Sequence, residues 1–206
     1  MARIAILDYG MGNLRSVARA VARVGGSPEV TSSPSEAARA DAVVVPGVGA
    51  FGACMRGLQQ TGLDSVVREF AAAERPVLGV CLGMQVLFES SEEAPDPGLG
   101  LVPGVVRLLR ADPAAGVKVP HMGWNEVVWT GEHPLTRGTP SGTRFYFVHS
   151  YAPDVIDDIT VGVTSHGREF TAAVASGSVF ATQFHPERSG DAGLALYEAF
   201  VKEVPA

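Results

Sequence analysis

The chain has 206 residues, with 16 Lys and Arg against 22 Asp and Glu, giving a formal net charge of −6. At roughly 100–200 residues per domain, this length predicts a single domain, 1–206, with a core of its own. An acidic chain without a run of Lys or Arg excludes the positive surface that grips nucleic acid, so no nucleic-acid partner is expected. Two cysteines, short apolar runs and no signal-peptide pattern predict a cytoplasmic protein with free thiols and no membrane partner.

Short apolar runs alternate with amphipathic stretches through the first half of the chain. In chain order they predict a strand at 3–8, a helix at 14–24, a strand at 29–31, a short helix at 35–39, a strand at 41–45, helices at 51–60 and 63–74, a strand at 76–80 and a helix at 82–90. Buried strands that alternate with helices favour a parallel sheet covered on both faces.

Shorter strand-like stretches separated by turn signals fill the second half. They lie at 105–109, 126–129, 143–149, 160–165, 170–175 and 179–184, before a closing helix at 190–204. The turn signal Ser176-Gly177 predicts a hairpin, and 94–100 is expected to form one surface loop. The pattern as a whole predicts an α/β fold with a mixed sheet.

A cysteine stands between two glycines in Gly79-Val80-Cys81-Leu82-Gly83, where a predicted strand turns into a predicted helix. This is the pattern of a nucleophile elbow, in which a strained turn exposes the reactive side chain. N–H groups at the start of the helix would favour the Cys81 thiolate. A buried, inert cysteine fits the same local sequence, so the hypothesis of a nucleophile requires a base elsewhere in the chain.

A histidine and a glutamate follow the last predicted strand, in Phe184-His185-Pro186-Glu187. Pro186 favours extended backbone at His185, and side chains two residues apart on an extended chain leave from the same face. Glu187 can therefore hold one ring nitrogen of His185 and leave the other free as a base. Cys81, His185 and Glu187 form a candidate triad, whereas without a nucleophile a surface ion pair is the simpler interpretation.

An acyl-transfer site also needs N–H donors for the oxyanion. The N–H of Leu82, directly after Cys81, is one candidate. The other is Pro46-Gly47-Val48-Gly49, at the carboxyl end of a predicted parallel strand, where ligands bind in such sheets. The same four residues would also suit a plain turn that ends the strand.

Together these motifs resemble those of the class I, or triad, glutamine amidotransferases. Within that class the chain is similar to the glutaminase subunits of imidazole glycerol phosphate synthase. The segments that carry the closer resemblance are 8–14, 46–51, 120–125 and 146–151. The resemblance implies a three-layer, flavodoxin-like α/β fold with a mixed, mostly parallel central sheet, and no cofactor is expected.

The resemblance also implies an activity. Cys81 would attack the side-chain amide of glutamine, His185 would deliver a proton to the departing ammonia, and water would hydrolyse the thioester to glutamate. Family positions in the oxyanion region and around the glutamine pocket match Gly47, Val48, Gly49, Leu82, Gln85, Glu93, His149, Ser150 and Tyr151.

The ammonia acceptor has no recognisable site in this chain, since Gly10-x-Gly12 lacks the third glycine of a dinucleotide-binding motif. The resemblance implies a heterodimer with a cyclase subunit of (β/α)8 barrel type, which makes imidazole glycerol phosphate and AICAR in histidine biosynthesis. Positions that face the cyclase match Asn13, Met122, Trp124 and Arg188. The family often has Lys at the position of Arg188. Arginine keeps the charge but not the hydrogen-bond geometry, so whether an interface salt bridge forms there stays an open question.

Two other functions remain compatible with the sequence. The chain could serve another acceptor, such as chorismate or a purine or pyrimidine precursor, or it could be a non-catalytic flavodoxin-like module with an inert Cys81. Among the remaining candidates, Cys54 is expected to be buried in a helix, and His133 and His166 to lie at the surface. His121, His149 and the cysteines show no ligand-like spacing, so no metal site is expected.

Overall fold

A nine-stranded mixed sheet lies at the centre of the computed structural model, which describes residues 1–205. The strands are β1 (Arg3–Leu7), β2 (Ser27–Thr31), β3 (Ala42–Gly47), β4 (Val77–Cys81), β5 (Ser90–Ser91), β6 (Val105–Leu108), β7 (His121–Trp129), β8 (Thr143–His149), β9 (Tyr151–Pro153), β10 (Thr160–His166), β11 (Arg168–Ser176) and β12 (Val179–Thr182). The helices are α1 (Leu14–Arg23), α2 (Pro34–Ala37), α3 (Phe51–Thr61), α4 (Leu63–Ala72), α5 (Leu82–Gln85) and α6 (Gly190–Glu203), with 3-10 turns at Pro134–Thr136 and Pro186–Arg188.

The strand order of the large sheet is β2-β1-β3-β4-β12-β11-β10-β7-β8. Its first five strands are parallel to one another. Numbered among themselves they have the order 2-1-3-4-5, which is that of flavodoxin-like folds. The other four strands add antiparallel pairings, including the hairpin that turns at Ser176-Gly177. The predicted mixed sheet in an α/β fold is confirmed.

Helices cover both faces of the parallel strands, so the fold has three layers, with the sheet between two layers of helices. Along β1, Ile4 and Ile6 pack with buried residues of α1 and α6. The alternate residues Ala5 and Leu7 pack with α3 and α4 on the opposite face. Because successive side chains of a strand point to opposite faces, a strand that is apolar throughout needs helices on both sides. No helix among residues 1–205 is long and apolar enough to cross a membrane.

The helix predicted at 82–90 is wrong in extent, because α5 ends at Gln85 after one turn. The carbonyl groups that would continue it are taken by the segment predicted as a surface loop. Leu99 N–H donates to the carbonyl of Val86 at 2.7 Å, and Gly98 N–H donates to that of Glu89 at 2.8 Å. Leu99 itself is buried, so only part of that loop lies at the surface.

One predicted strand is longer, and two short strands, β5 and β9, were not predicted. The strand expected at 126–129 begins at His121, because β7 pairs with β8 from His121 opposite His149 to Val127 opposite Thr143. The short strand β9 joins β5 and β6 in a separate three-stranded sheet. The start of β7 and the strand β9 place residues from the second half of the chain beside the carboxyl ends of the parallel strands.

Candidate functional site

A cavity of about 330 Å³ opens at the carboxyl ends of β3 and β4. Its lining residues are Val48, Gly49, Cys81, Leu82, Gln85, Glu93, Pro120, Val148, His149, Ser150, Tyr151 and His185. The cavity brings together two of the three predicted triad residues and all the predicted pocket residues except Gly47. A volume in this range is typical of small-molecule sites.

Cys81 ends β4 in a strained backbone conformation, with φ 55° and ψ −110°. A positive φ at a non-glycine residue is uncommon, and such strain concentrates at functional sites. The neighbouring turn is tightly packed: a Cβ added at Gly83 would lie 1.8 Å from the carbonyl oxygen of Val45, and one at Gly47 would lie 2.5 Å from the N of Gly83. The sharp turn predicted from the Gly-x-Cys-x-Gly motif is therefore present.

The Cys81 side chain is 5% exposed at the cavity wall. Its sulfur lies 4.0 Å from the carbonyl oxygen of Val148 and 3.8 Å from Nε2 of Gln183. Gln183 is fully buried and was not among the residues singled out in the sequence. The sulfur thus faces the cavity on one side and a side-chain N–H donor on the other.

His185 and Glu187 form a buried pair, with 2.8 Å between Nδ1 of the histidine and Oε1 of the glutamate. The His185 backbone is fixed by two bonds: its N–H donates to the Tyr146 carbonyl at 2.9 Å, and its carbonyl accepts from the Ser189 hydroxyl at 2.6 Å. The ring nitrogen Nε2 is buried and has no hydrogen-bond partner among residues 1–205. The pair is not the surface ion pair that the sequence left open.

The charge state of His185 follows from its neighbours. Burial opposes the charge on its ring, but the Cys81 thiolate and the Glu187 carboxylate outweigh burial and raise the pKa of His185 to about 10. An imidazolium at neutral pH beside a sulfur in the same cavity is the arrangement of an activated cysteine nucleophile.

The turn Pro46-Gly47-Val48-Gly49 contributes Val48 and Gly49 to the cavity wall, and two buried groups bond to its carbonyls. The Tyr9 hydroxyl donates to the Pro46 carbonyl, and the Cys54 thiol, 3.9 Å from the Val48 carbonyl oxygen, donates to it. Burial is the main reason that the pKa of the Cys54 thiol rises to about 12, so this group remains a neutral donor. Cys54 is buried in α3 as predicted.

Two of the polar pocket residues have structural bonds of their own. Gln85 donates from Nε2 to the Tyr151 carbonyl at 2.9 Å and to Oε1 of Gln183 at 2.9 Å. Glu93 accepts at 2.9 Å from the backbone N–H of Phe51, the first residue of α3. Glu93 therefore caps a helix and lines the cavity at the same time.

The histidines contradict part of the sequence-based expectation. His166 is half-buried, with its ring stacked on that of His121 at 4.2 Å, and His133 is half-buried and stacked on Phe180 at 5.1 Å. Neither is a plain surface residue, because His166 at the end of β10 stacks on His121, and His133, directly before the 3-10 turn at Pro134–Thr136, stacks on Phe180. His121, His149 and His166 do cluster, but their ring nitrogens bond to one another and to carbonyl groups. No group of residues within 1–205 has the arrangement of a metal site.

The four residues predicted to face a partner are exposed. Met122 is 63% and Trp124 is 50% exposed on β7, and Asn13 and Arg188 lie at the surface. The Arg188 guanidinium lies 4.2 Å above the Tyr146 ring, and the Tyr146 and Trp124 rings meet edge to face at 6.2 Å. Arg188 is therefore part of an aromatic surface cluster with these two rings.

Sequence reasoning missed Pro120, Val148 and Gln183. The first two belong to segments that carried the resemblance, and Gln183 directly precedes the Phe184-His185-Pro186-Glu187 motif. The position of Gln183 next to this motif was the one feature of the sequence that could have indicated a role for it. A lone buried glutamine at the end of a strand does not otherwise indicate a role.

Comparisons with known proteins agree on one family. The family model described as glutamine amidotransferase class-I matches residues 5–204. The imidazole glycerol phosphate synthase subunit HisH of Aromatoleum aromaticum is 50% identical over 213 residues, covering 100% of both chains. HisH of Moorella thermoacetica is 48% identical over 203 residues, covering 97% of this chain and 94% of the relative. The structure of PurLQS from Thermotoga maritima aligns with a TM-score of 0.77 at 20% identity, covering 100% of both chains, which shows the fold alone.

Proposed function

The chain belongs to the class I glutamine amidotransferases and, within them, to the family of HisH subunits of imidazole glycerol phosphate synthase; from this premise we propose that Cys81, His185 and Glu187 are its glutaminase triad. The observation that carries the proposal is the strained Cys81 in one cavity with His185, whose other ring nitrogen is held by Glu187 at 2.8 Å. The whole chain, as one domain, would carry out this half of the reaction.

In the first step the Cys81 thiolate attacks the side-chain carbonyl carbon of glutamine, and a C–S bond forms as the carbonyl oxygen becomes an oxyanion. The tetrahedral intermediate collapses when His185 gives its Nε2 proton to the amide nitrogen, so that the C–N bond breaks and ammonia leaves. A γ-glutamyl thioester remains on Cys81. The raised pKa of His185 supports this role, because the ring begins the step protonated.

In the second step the now neutral His185 accepts a proton from water, and the resulting hydroxide attacks the thioester carbonyl. The C–S bond breaks, glutamate leaves, and the thiolate and imidazolium are restored. Glu187 holds Nδ1 through both steps, so Nε2 always faces the reacting atoms. The oxyanion would be bound by backbone N–H groups of Leu82 and of the turn Gly47-Val48-Gly49, at the wall of the cavity.

Substrate binding is proposed from the polar residues that line the cavity. Glu93 presents the carboxylate that a free α-ammonium group of glutamine requires. Gln85, His149, Ser150 and Tyr151 line the remaining wall and would fix the orientation of the side-chain amide. A small number of polar groups in a cavity is typical of sites for small polar ligands.

We further propose that the ammonia passes to a cyclase subunit in a heterodimer. Ammonia released into neutral water would mostly become ammonium, which is not a nucleophile, so the acceptor must be close. The cluster of Trp124, the partly buried Tyr146 and Arg188 supplies an apolar and cationic surface for such a partner, and Met122 and Asn13 are exposed as well. The relatives are named as synthase subunits, which supports the choice of partner.

Glutamate release from glutamine, measured with and without the purified cyclase and its ligand, tests the proposal. We expect weak hydrolysis by the isolated chain, a large stimulation by the cyclase, and no hydrolysis by a Cys81→Ala variant. Undiminished hydrolysis by Cys81→Ala would contradict the assignment of the triad. Stimulation by an anthranilate-type synthase and not by the cyclase would favour chorismate as the acceptor, the alternative within the class.

A further inference from the structure

We propose that Gln183 stabilises the Cys81 thiolate by donating a hydrogen bond to it, at the end of a hydrogen-bond chain whose direction is set by the Tyr151 carbonyl. The inference rests on the proposed function in taking Cys81 as the nucleophile. It concerns a residue outside the triad and outside the predicted glutamine pocket.

The direction of the chain follows from donors and acceptors. A backbone carbonyl can only accept, so the atom of Gln85 that lies 2.9 Å from the Tyr151 oxygen is its NH2 group. The same NH2 group lies 2.9 Å from the Gln183 side-chain amide and needs an oxygen there. A reversed Gln183 amide would set two NH2 groups against each other. Oε1 of Gln183 therefore faces Gln85, and Nε2 faces Cys81.

The donor that faces the sulfur cannot turn away. Gln183 is fully buried, and its backbone N–H donates to the Ala172 carbonyl at 2.8 Å, which continues the pairing of β12 with β11. Nε2 lies 3.8 Å from the sulfur, a distance suited to a large, diffuse acceptor. An N–H fixed against sulfur stabilises the thiolate more than the thiol, because a donor bond to a charged acceptor is the stronger one.

Tyr151 also accepts from Nδ1 of His149 at 2.8 Å. The carbonyl that sets the direction of the chain is thus fixed from two sides, by Gln85 and by His149. Both residues line the cavity, so the wall that would bind glutamine and the donor that faces the nucleophile share one hydrogen-bond network.

The pH dependence of Cys81 alkylation by iodoacetamide tests the inference, with labelling of the Cys81 peptide followed by mass spectrometry. Gln183→Met removes the donor, and Gln183→Glu keeps the shape but substitutes an anionic acceptor. We expect the midpoint to rise by about one pH unit in Gln183→Met and to rise further in Gln183→Glu. A midpoint unchanged or lowered in either variant overturns the inference.

Two controls separate a specific effect from damage to the fold. Gln60→Met places the same change on the exposed end of α3 and should leave the midpoint unchanged. The buried Cys54 peptide in each sample reports opening of the core, and its labelling should remain slow. If Gln183→Met loosens the fold, Cys54 labelling rises and the nearly isosteric Gln183→Glu decides the question.

The measurement needs neither glutamine nor a partner, so the two proposals can fail separately. An unchanged alkylation midpoint in the Gln183 variants, with hydrolysis abolished in Cys81→Ala, overturns the role of Gln183 alone. Hydrolysis that survives Cys81→Ala overturns the proposed function.

Discussion

His121 and His149 are joined by a direct hydrogen bond between their rings, with 3.0 Å between Nδ1 of the first and Nε2 of the second. The protonated nitrogen of each ring follows from its other partner. His149 must carry its proton on Nδ1, because that atom donates to the Tyr151 carbonyl, and so its Nε2 accepts from His121. Nε2 of His121 in turn accepts from the Asn125 amide at 3.2 Å. Both rings are neutral in this arrangement.

Because both rings are neutral in the folded protein, stability should fall in mild acid. Burial is the main cause that lowers the pKa of His121 to about 4 and that of His149 to about 3, against about 6.5 in an unfolded chain. The unfolded state therefore binds protons first as the pH falls. The stability contributed by the pair is complete above pH 6.5 and is lost progressively towards pH 4 and below.

Thermal and urea unfolding between neutral and acidic pH measure this loss. Each histidine should contribute up to about 1.4 kcal/mol per pH unit to the slope below pH 6.5. A His149→Gln variant is less stable at neutral pH but should show a flatter slope, since one titrating group is gone. A slope as steep as that of the parent protein would show that other groups cause the acid loss.

Glu187→Gln tests the charge that Glu187 places beside His185. A glutamine oxygen can still accept from Nδ1, so the geometry is kept, but the negative charge that helps to raise the pKa of His185 to about 10 is removed. His185 must be protonated to release ammonia, so activity is lost as the pH rises through this pKa. A lower pKa moves the alkaline limb of kcat to lower pH.

Glutaminase assays with the cyclase, from neutral pH to above pH 10, give the position of that limb. We expect a displacement of about one pH unit or more for Glu187→Gln, with a lower kcat. Glu29→Gln on the exposed edge strand β2 is the matched control and should match the parent protein. An alkaline limb that stays in place would exclude an electrostatic role for Glu187.

Gly83→Ala should destabilise the elbow through a steric clash with the backbone. Its Cβ would lie 1.8 Å from the Val45 carbonyl oxygen, so α5 or β3 must move. A cost of about 3 kcal/mol or more is expected, with loss of glutaminase activity. Gly131→Ala is the matched control, because its Cβ meets no atom within 4 Å and its φ is not positive.

Urea unfolding and a glutaminase assay of the two glycine variants check this difference. Gly131→Ala should stay within about 0.5 kcal/mol of the parent protein. Equal stability of Gly83→Ala would mean that the close approach of α5 and β3 is not required.

The parts of the site that are local in sequence were predictable. The elbow at Cys81 and the pair His185-Glu187 each depend on residues within a few positions of one another, where glycine and proline restrict the backbone. The parallel strands were also predictable, because each is a continuous apolar run between turn signals.

The remaining features depend on distant pairing, which the sequence does not encode locally. His121 meets His149 only because β7 and β8 pair in one register, and His166 joins them from β10. Helix α5 ends early because N–H groups of Gly98 and Leu99 bond to carbonyls of the residues that follow it, and no local sequence signal predicts these bonds. The role proposed for Gln183 depends on its contacts with Gln85 and Cys81, which belong to two other elements.

Arg188→Lys tests whether binding of the cyclase depends on the planar shape of the Arg188 side chain or only on its charge. The Arg188 guanidinium stacks on Tyr146, which in turn meets the half-exposed Trp124, so arginine orders two aromatic side chains of the proposed partner surface. A lysine keeps the charge but not the planar stacking. Ordering a loosened side chain on binding costs about 0.5–1.5 kcal/mol, so loss of the stacked arrangement should raise the Kd for the cyclase about threefold.

Titration calorimetry with the cyclase measures the change, and Arg188→Met should weaken binding more than Arg188→Lys because it also removes the charge. Arg39→Lys is the control: Arg39 is exposed and precedes β3, at the amino end of the sheet and opposite the cavity. Unfolding temperatures of all three variants should match the parent protein, since both arginines are at the surface. If Arg188→Lys binds the cyclase as tightly as the parent protein, only the charge of Arg188 contributes to binding. If Arg188→Met also binds as tightly, Arg188 does not contribute to the partner surface.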